Sequence, residues 1–243
     1  MIRIENVTKR FGDRTVVDNI SFCADKGAIT GLIGSNGSGK STTMRMISTL
    51  LKQNQGTITV GDVDTLRNPE KARGKIGLLL GGDVSLYERL TAEENILYFA
   101  ELQGMDKSSA HAKICELSEI LGMNDYLNRR VAGFSRGMKQ KVAFARSIIH
   151  SPEVLLLDEP STGLDIDSIK DVQNFILYCK KQEKTILLST HNAHEMDYLC
   201  DRLVFIEDGK IIAQGDKAKL IEESGCKTVA DLFFYYRERS DRK

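Results

Sequence analysis

The sequence predicts an α/β fold in which a mainly parallel central sheet carries an N-terminal antiparallel β subdomain and an inserted helical subdomain. Near-continuous apolar runs at residues 154–157 and 185–188 alternate with helical periodicity, which is typical of parallel strands buried on both faces. Within residues 2–22, two shorter runs alternate apolar and polar positions, which is typical of antiparallel strands. From about residue 91 to residue 149 the pattern is helical only, so this stretch is interpreted as an insert in the core.

The order of the predicted elements follows from apolar spacing and from local turn and capping patterns. Apolar positions three or four residues apart indicate helices, and short apolar runs indicate strands. Thr91 and Glu94 form a capping-box pattern, in which each side chain satisfies the other residue's unpaired amide at a helix start. We predict hairpin turns at Gly12-Asp13 and Asp208-Gly209, strands at 29–33, 57–60, 76–80, 154–157, 185–188, 202–206 and 210–213, and helices after Thr91 and at 39–51, 110–121, 135–150 and 167–181, followed by a helical tail.

Composition indicates an ordinary globular chain and excludes several functional classes. The 243 residues are 41% hydrophobic and 28% charged, enough to bury a core without disulfide or metal support. The five scattered cysteines form no C-x-x-C pair, so no disulfide framework or zinc site is expected. The 34 basic residues balance 34 acidic ones, which gives no reason to expect nucleic-acid binding. No apolar run approaches the roughly 18 residues of a membrane span, and the N-terminus lacks a signal-peptide pattern, so we expect a soluble chain.

A glycine-rich loop follows the predicted strand at 29–33. Residues 34–41, Gly-Ser-Asn-Gly-Ser-Gly-Lys-Ser, match G-x-x-x-x-G-K-[ST], the pattern of a P-loop nucleoside triphosphatase. Glycines let successive amides face one concavity, and the following helix N-terminus adds partial positive charge for phosphate oxygens. Lys40 is expected to reach the β and γ phosphates, and the Ser41 hydroxyl to bind Mg²⁺. The predicted nucleotide-binding residues of the loop are Gly34, Ser35, Asn36, Gly37, Ser38, Gly39, Lys40, Ser41 and Thr42.

Two acidic residues follow the apolar run at 154–157. Burying the Asp158 carboxylate is costly unless a cation or a hydrogen-bond donor meets it, and a nucleotide-bound Mg²⁺ would be such a partner. Glu159, the next residue, could orient or deprotonate the attacking water. Alone this pattern is weak, because strands often end in aspartate. Together with the P-loop it predicts Asp158 as a metal ligand and Glu159 as a catalytic residue.

Residues 134–140, Phe-Ser-Arg-Gly-Met-Lys-Gln, open the last helix of the insert. Ser135 is a good N-cap, and capping alone would explain it. The segment also resembles the signature sequence of ABC transporter ATPases, usually Leu-Ser-Gly-Gly-Gln followed by a basic residue and Gln. The residues that fit are Ser135, Gly137, Lys139 and Gln140, and those that depart are Phe134, Arg136 and Met138.

Three further segments resemble the same family in the same order. Pro160-Ser-Thr-Gly-Leu-Asp165 resembles the family's D-loop, and Ser189-Thr-His191 resembles the segment that carries its switch histidine. Phe11 falls where the family places an aromatic ring against adenine. The resemblance implies a single ABC ATPase domain, with a nucleotide-binding core and β subdomain at 1–90 and 150–215, a helical insert at 91–149 and a helical tail at 216–243.

The resemblance also implies a mechanism, in which two identical chains stack head to tail around two ATP molecules with Mg²⁺. In the family each ATP lies between one P-loop and the signature segment of the other copy, so Ser135 and Gly137 would contact the γ phosphate in trans. Hydrolysis would then open the pair. The catalytic residues implied are Glu159, His191 and Lys40, and the nucleotide-contacting residues outside the P-loop are Phe11, Ser135, Gly137 and Asp165.

One position departs from the family pattern. Where the family usually has a glutamine, alignment places Gly82, which has no side chain to ligate Mg²⁺. A water or a neighbouring group such as Asp83 would then complete the metal's ligands, and the Gly81-Gly82 pair would suit a hinge between core and insert.

The expected function is ATP hydrolysis that powers export of a substrate through separate multispanning membrane subunits, with this chain peripheral at the cytoplasmic face of the membrane. Leu86, Tyr87 and Leu90 lie at the core–insert junction, where they would suit a partner helix or burial under the insert about equally. The sequences of these motifs are similar to those of exporters, especially bacterial sodium-extruding and multidrug-type ATPase subunits. The alternative is a soluble ABC ATPase acting on ribosomes or DNA, which the single cassette, the short insert and the zero net charge disfavour.

Overall fold

The computed structural model describes residues 1–81 and 85–240. The strands are β1 (Ile2–Phe11), β2 (Arg14–Ala24), β3 (Ile29–Ile33), β4 (Gln55–Val60), β5 (Val63–Asp64), β6 (Ile76–Leu79), β7 (Val154–Asp158), β8 (Thr185–Ser189), β9 (Arg202–Glu207) and β10 (Lys210–Asp216). The helices are α1 (Lys40–Ile47), α2 (Pro69–Gly74), α3 (Ala92–Leu102), α4 (Lys107–Leu121), α5 (Arg136–Ile148), α6 (Ile166–Lys181), α7 (Ala193–Leu199), α8 (Lys217–Ser224) and α9 (Val229–Ser240).

The central sheet has the strand order β10-β9-β3-β8-β7-β6. Neighbouring strands are parallel except β9 and β10, which form an antiparallel hairpin. Every residue of β7 and β8 is buried, as expected for strands covered on both faces. The mainly parallel sheet is therefore confirmed. The hairpin turn predicted at Asp208 and Gly209 is also present, with both residues at positive φ (47° and 78°).

A separate antiparallel sheet of order β2-β1-β4-β5 forms the N-terminal β subdomain. β1 and β2 pair as predicted, with Phe11 opposite Arg14 beside the turn, and β4 pairs with the other edge of β1. The inward side chains of this sheet, including Ile4 and Ile58, share an apolar cluster with Met44 of α1. This packing holds the β subdomain next to the helix that follows the glycine-rich loop.

The helical insert contains α3, α4 and α5. Its predicted capping box is confirmed: the Glu94 amide donates to Thr91 Oγ1 (3.1 Å), and the Thr91 amide donates to Glu94 Oε2 (2.8 Å). Phe144 of α5 meets Phe175 of α6 with ring centroids 5.2 Å apart. The insert therefore shares one continuous apolar cluster with the core.

Side-chain alternation along β7 separates two apolar clusters, one on each face of the central sheet. Val154 and Leu156 lie in the cluster that contains the buried side chains of α1. Leu155 and Leu157 lie in the cluster that contains those of α5 and α6. Because successive residues of a strand point to opposite faces, α1 and α5 lie on opposite faces of the sheet.

Helix ends and short helices differ from the sequence predictions. The helix predicted at 39–51 ends at Ile47, because Thr49 has a φ of 65° that no right-handed helix accommodates. α2 and α7 were not predicted, since helices of six and seven residues show little periodicity. Their local signals are Pro69 in the first turn of α2 and Asn192, whose side chain caps α7. Within the described ranges, no helix combines the length and the apolar character of a membrane span.

Candidate functional site

The glycine-rich loop connects β3 to α1 at the carboxyl edge of the central sheet. Gly37 and Gly39 have φ values of 84° and 109°, conformations that glycine adopts without a steric cost. A Cβ atom at Gly34 would collide with the carbonyl oxygen of Ile206 in β9. The glycines of the motif are therefore required by the loop's turns and by its close approach to the neighbouring strand.

Lys40 is the first residue of α1 and is almost buried, at 8% exposure. Its Nζ donates to the carbonyl oxygens of Gly34 (2.8 Å) and Ser35 (2.9 Å), so the ammonium spans the loop. Burial lowers the pKa of Lys40, and the carboxylates of Glu159 and Asp158 oppose that shift. The positive charge thus lies against the loop that leads into α1, and the N-terminus of a helix is itself a place where an anion is favoured.

Asp158 and Glu159 lie at the carboxyl end of β7, as predicted. Asp158 is 7% exposed and accepts a hydrogen bond from the Ser189 hydroxyl on neighbouring β8. Glu159 adopts a φ of 52°, and its amide donates to the Ser189 carbonyl (2.8 Å). An uncommon left-handed glutamate is thereby fixed by the strand beside it.

Glu159 and His191 are brought together although they are far apart in the sequence. His191 Nδ1 lies 2.7 Å from Glu159 Oε2, and the Thr162 hydroxyl donates to the same oxygen at 2.8 Å. The His191 side chain is 67% exposed and that of Glu159 is 24% exposed. The arrangement gives a carboxylate with a fixed orientation that an incoming water can still reach.

The signature-like segment begins α5, and Ser135 is its N-cap. The Met138 amide donates to Ser135 Oγ at 3.2 Å. A Cβ atom at Gly137 would collide with the Ser168 side chain at the start of α6. Gln140, which is 7% exposed, donates to the Pro160 carbonyl at 2.7 Å. The segment is thus fixed to the loop that follows Glu159.

Asp165 and Phe11 were predicted as nucleotide-contacting residues outside the P-loop. Asp165 caps α6 by accepting from the Ser168 amide at 2.8 Å, and backbone hydrogen bonding from Ser168 lowers the pKa of this exposed carboxyl. Phe11 ends β1 at 48% exposure, with Lys9 Nζ 4.8 Å from its ring centroid. An exposed aromatic ring next to a cation offers a surface for stacking. The predicted departure at Gly82 lies outside the described residues.

Several residues of the site were not found from the sequence. Ser189 holds Asp158 and Glu159, and Thr162 holds the Glu159 carboxylate. Glu207, at the end of β9, accepts a hydrogen bond from the Ser35 amide in the loop (3.2 Å). The available signal was a polar residue ending an apolar run, because the carboxyl ends of parallel strands meet at one edge of the sheet.

The described residues place a glycine-rich loop, a buried lysine, two carboxylates and a histidine at one edge of a parallel sheet. Residues 17–162 match the family model described as ABC transporter. The ATP-binding protein NatA of Bacillus subtilis is 43% identical over 237 residues, covering 96% of both chains. The Nod factor export ATP-binding protein I of Burkholderia lata is 38% identical over 229 residues, covering 94% of this chain and 75% of the relative.

Solved structures show the same fold. The structure of an ATP-binding subunit of an ABC transporter has a TM-score of 0.89 at 27% identity, covering 98% of this chain and 99% of that one. A dimeric ATP-binding cassette bound to ADP and Pi has a TM-score of 0.78 at 23% identity, covering 89% and 98%. The family match and the similarity to NatA show that the chain belongs to the ABC transporter family as an ATP-binding subunit that hydrolyses ATP.

Proposed function

We propose that this chain powers export of a substrate as a pair of identical copies bound to membrane subunits at the cytoplasmic face. The observation that carries the proposal is the contact of Glu159 with His191 beside Lys40 and its glycine-rich loop. This arrangement suits hydrolysis of a nucleotide bound at the loop. The name of one relative, the Nod factor export ATP-binding protein I of Burkholderia lata, supports export as the direction of transport.

The residues of the site have distinct roles in the proposed reaction. Lys40 and the first amides of α1 bind the β and γ phosphates. Ser41 and Asp158 would hold Mg²⁺, since a hydroxyl and a carboxylate are oxygen ligands that this ion prefers. The ion, when bound, supplies positive charge to the phosphoryl oxygens during transfer. Glu159 orients the attacking water and accepts its proton, while His191 fixes the glutamate.

The positions of α1 and α5 support the proposed pairing of two copies. The P-loop helix packs on one face of the central sheet and the signature helix on the other. One copy therefore cannot easily close its own signature segment over its own P-loop. A second copy placed head to tail would bring Ser135 and Gly137 to the γ phosphate, with Asp165 nearby and Phe11 of the first copy against the adenine.

The core–insert junction is the surface proposed to contact the membrane subunits. Tyr87 and Tyr98 are 49% and 40% exposed and meet edge to face at 5.3 Å between centroids. Leu86 instead packs against the core of the insert. Arg146 donates to the Ser85 carbonyl at 2.6 Å and thereby fixes this segment. Both alternatives for the segment thus have support, burial for Leu86 and partner contact for Tyr87.

Action on ribosomes or DNA is the second candidate, and the observations favour it less. The chain has no excess of basic residues, whereas binding to a phosphate backbone draws most of its affinity from lysine and arginine. No nucleic-acid partner is therefore proposed.

The test is co-purification from detergent-solubilised membranes of cells that express the tagged chain together with its neighbouring genes. We expect a multispanning protein at about one copy per ATPase chain, and loss of that protein in the variant Tyr87→Ala/Tyr98→Ala. Tyr198→Ala is the matched control, because Tyr198 is also an exposed tyrosine (59%) but lies on α7. A chain that stays in the soluble fraction, or that purifies with ribosomes, would contradict the proposal.

A further inference from the structure

Helix α9 packs beside the nucleotide site. Phe233 stacks on Phe205 of β9 with 6.4 Å between centroids, and Tyr236 lies 5.6 Å from the same ring. Phe233, Gly34 and His191 all line a mainly apolar cavity of about 240 Å³. Aromatic packing therefore holds α9 within reach of the P-loop.

A series of polar contacts joins α9 to the P-loop. Arg237 Nε lies 3.3 Å from Glu207 Oε1, and the Ser35 amide donates to Glu207 Oε2 at 3.2 Å. The Glu207 side chain is only 10% exposed, so its charge is costly without a partner. Lys40 Nζ donates to the Ser35 carbonyl at 2.9 Å. The Ser35 backbone is thus held between a lysine and a carboxylate that Arg237 neutralises.

We propose that Arg237 is a positioning residue for ATP binding, which neutralises Glu207 and so lets that carboxylate hold the Ser35 amide without repelling the nucleotide phosphates. This inference rests on the proposed role of the P-loop as the ATP site. Without Arg237, the charge of Glu207 would be opposed, among the described residues, only by Lys40, the cation expected to bind the phosphates. Less of the positive charge of Lys40 would then be left for the triphosphate, and like charges at close range weaken binding. The C-terminal helix would in this way set the affinity of the site for ATP.

The test is the dissociation constant for ATP, measured by calorimetry on the purified full chain at two salt concentrations. Arg237→Ala is expected to raise the constant about three- to tenfold at low salt. The difference should shrink at high salt, because the screening length falls from about 10 Å at 0.1 M to about 3 Å at 1 M. Arg237→Lys keeps the charge and should remain within about twofold of the wild type.

A double variant separates charge from packing. Glu207→Gln removes the charge but keeps an oxygen that accepts from the Ser35 amide, so Arg237→Ala/Glu207→Gln should recover wild-type affinity within about twofold. Arg239→Ala is the matched control on the same helix, because Arg239 contacts only the Tyr235 hydroxyl and ring among its described interactions. It should leave the dissociation constant unchanged.

Each outcome has one meaning. Wild-type affinity in Arg237→Ala, or a double variant no better than Arg237→Ala, overturns the proposal. If thermal unfolding shows that Arg237→Ala has lost the packing of α9, the double variant decides, because it also lacks Arg237 but carries no charge at position 207. ATP binding at the wild-type level in Arg237→Ala/Glu207→Gln then supports the proposal, and binding as weak as in Arg237→Ala overturns it. Failure of the wild-type chain to bind ATP would contradict the proposed function instead, so the two failures are distinguishable.

Discussion

His191 Nδ1 lies 2.7 Å from Glu159 Oε2, and this contact joins the ends of two neighbouring parallel strands. Glu159 follows β7 at a left-handed φ of 52°, and His191 follows β8. The Thr162 hydroxyl donates to the same glutamate oxygen at 2.8 Å. The carboxylate is thus held from two sides, which reduces the reorganisation needed to orient a water molecule.

Glu159→Gln should separate ATP binding from hydrolysis. The amide keeps the size of the side chain but cannot accept the proton of the attacking water, so turnover should fall roughly 10²- to 10⁴-fold. The dissociation constant for ATP should stay near the wild-type value. Phosphate release and calorimetry measure the two quantities. Glu183→Gln is the matched control, because Glu183 is an exposed glutamate that also has a positive φ, 58°. Near-wild-type turnover in Glu159→Gln would contradict the assignment of Glu159 as the catalytic base.

Two Ser135 variants distinguish capping from contact with a partner copy's ATP. Ser135→Ala removes the cap of α5 and should lower the free energy of unfolding by about 1 kcal/mol. Ser135→Asp restores a good cap but places a negative charge where the γ phosphate is expected. Denaturant titration and ATP-dependent dimerisation, measured in the Glu159→Gln background, test both properties.

For Ser135→Asp we expect near-wild-type stability together with loss of ATP-dependent dimerisation. Dimerisation at the wild-type level in this variant would mean that Ser135 serves only as a helix cap.

Phe11→Ala should weaken ATP binding if the exposed ring stacks on the adenine. Base–aromatic stacking contributes about 1–3 kcal/mol in alanine substitutions, so the dissociation constant should rise about fivefold or more. Phe11→Trp keeps a stacking surface and should bind within about threefold of the wild type. Calorimetry with ATP and with inorganic triphosphate provides the check, because only the ATP value should change. An equal loss of affinity for ATP and for inorganic triphosphate would indicate a disturbed β1–β2 turn instead.

Because of His150, the free energy of unfolding should fall when the pH is lowered mildly. Burial lowers the pKa of His150, and its hydrogen bond with the Ile76 carbonyl (3.2 Å) only partly opposes this. Below the unfolded value of about 6.5, the unfolded chain binds a proton that the folded chain does not yet bind. The contribution of neutral His150 to the free energy of unfolding is therefore fully present above that pH. It is lost as the pH falls toward the lower pKa of the folded state.

The measurement for His150 is the urea midpoint at a pH of about 7.5 and of about 5.5. His150→Gln should show a smaller loss between these values than the wild type. His111→Gln is the control, because this histidine is half exposed on α4 and pairs with Glu93. If the wild type and His150→Gln lose the same stability, His150 does not cause the loss.

The local motifs could be predicted from the sequence because each depends on residues that are adjacent in the chain. The P-loop between β3 and α1, the acidic pair after β7 and the capping box of Thr91 and Glu94 all belong to this class. The parallel sheet was also predictable, since strands buried on both faces are apolar throughout. The short helices α2 and α7 were missed because two turns give almost no periodicity.

The fold class and the family could thus be predicted from apolar patterns and local motifs, and so could the residue types of the proposed nucleotide site. Which strand ends meet depends on the packed sheet, because the order β10-β9-β3-β8-β7-β6 is not the order of the chain. That order places Ser189 against Asp158, and Glu207 against Ser35. The packing of α9 on β9 then adds Arg237 to the edge of the site. Contacts between distant segments depend on how buried faces pack, and no local pattern encodes them.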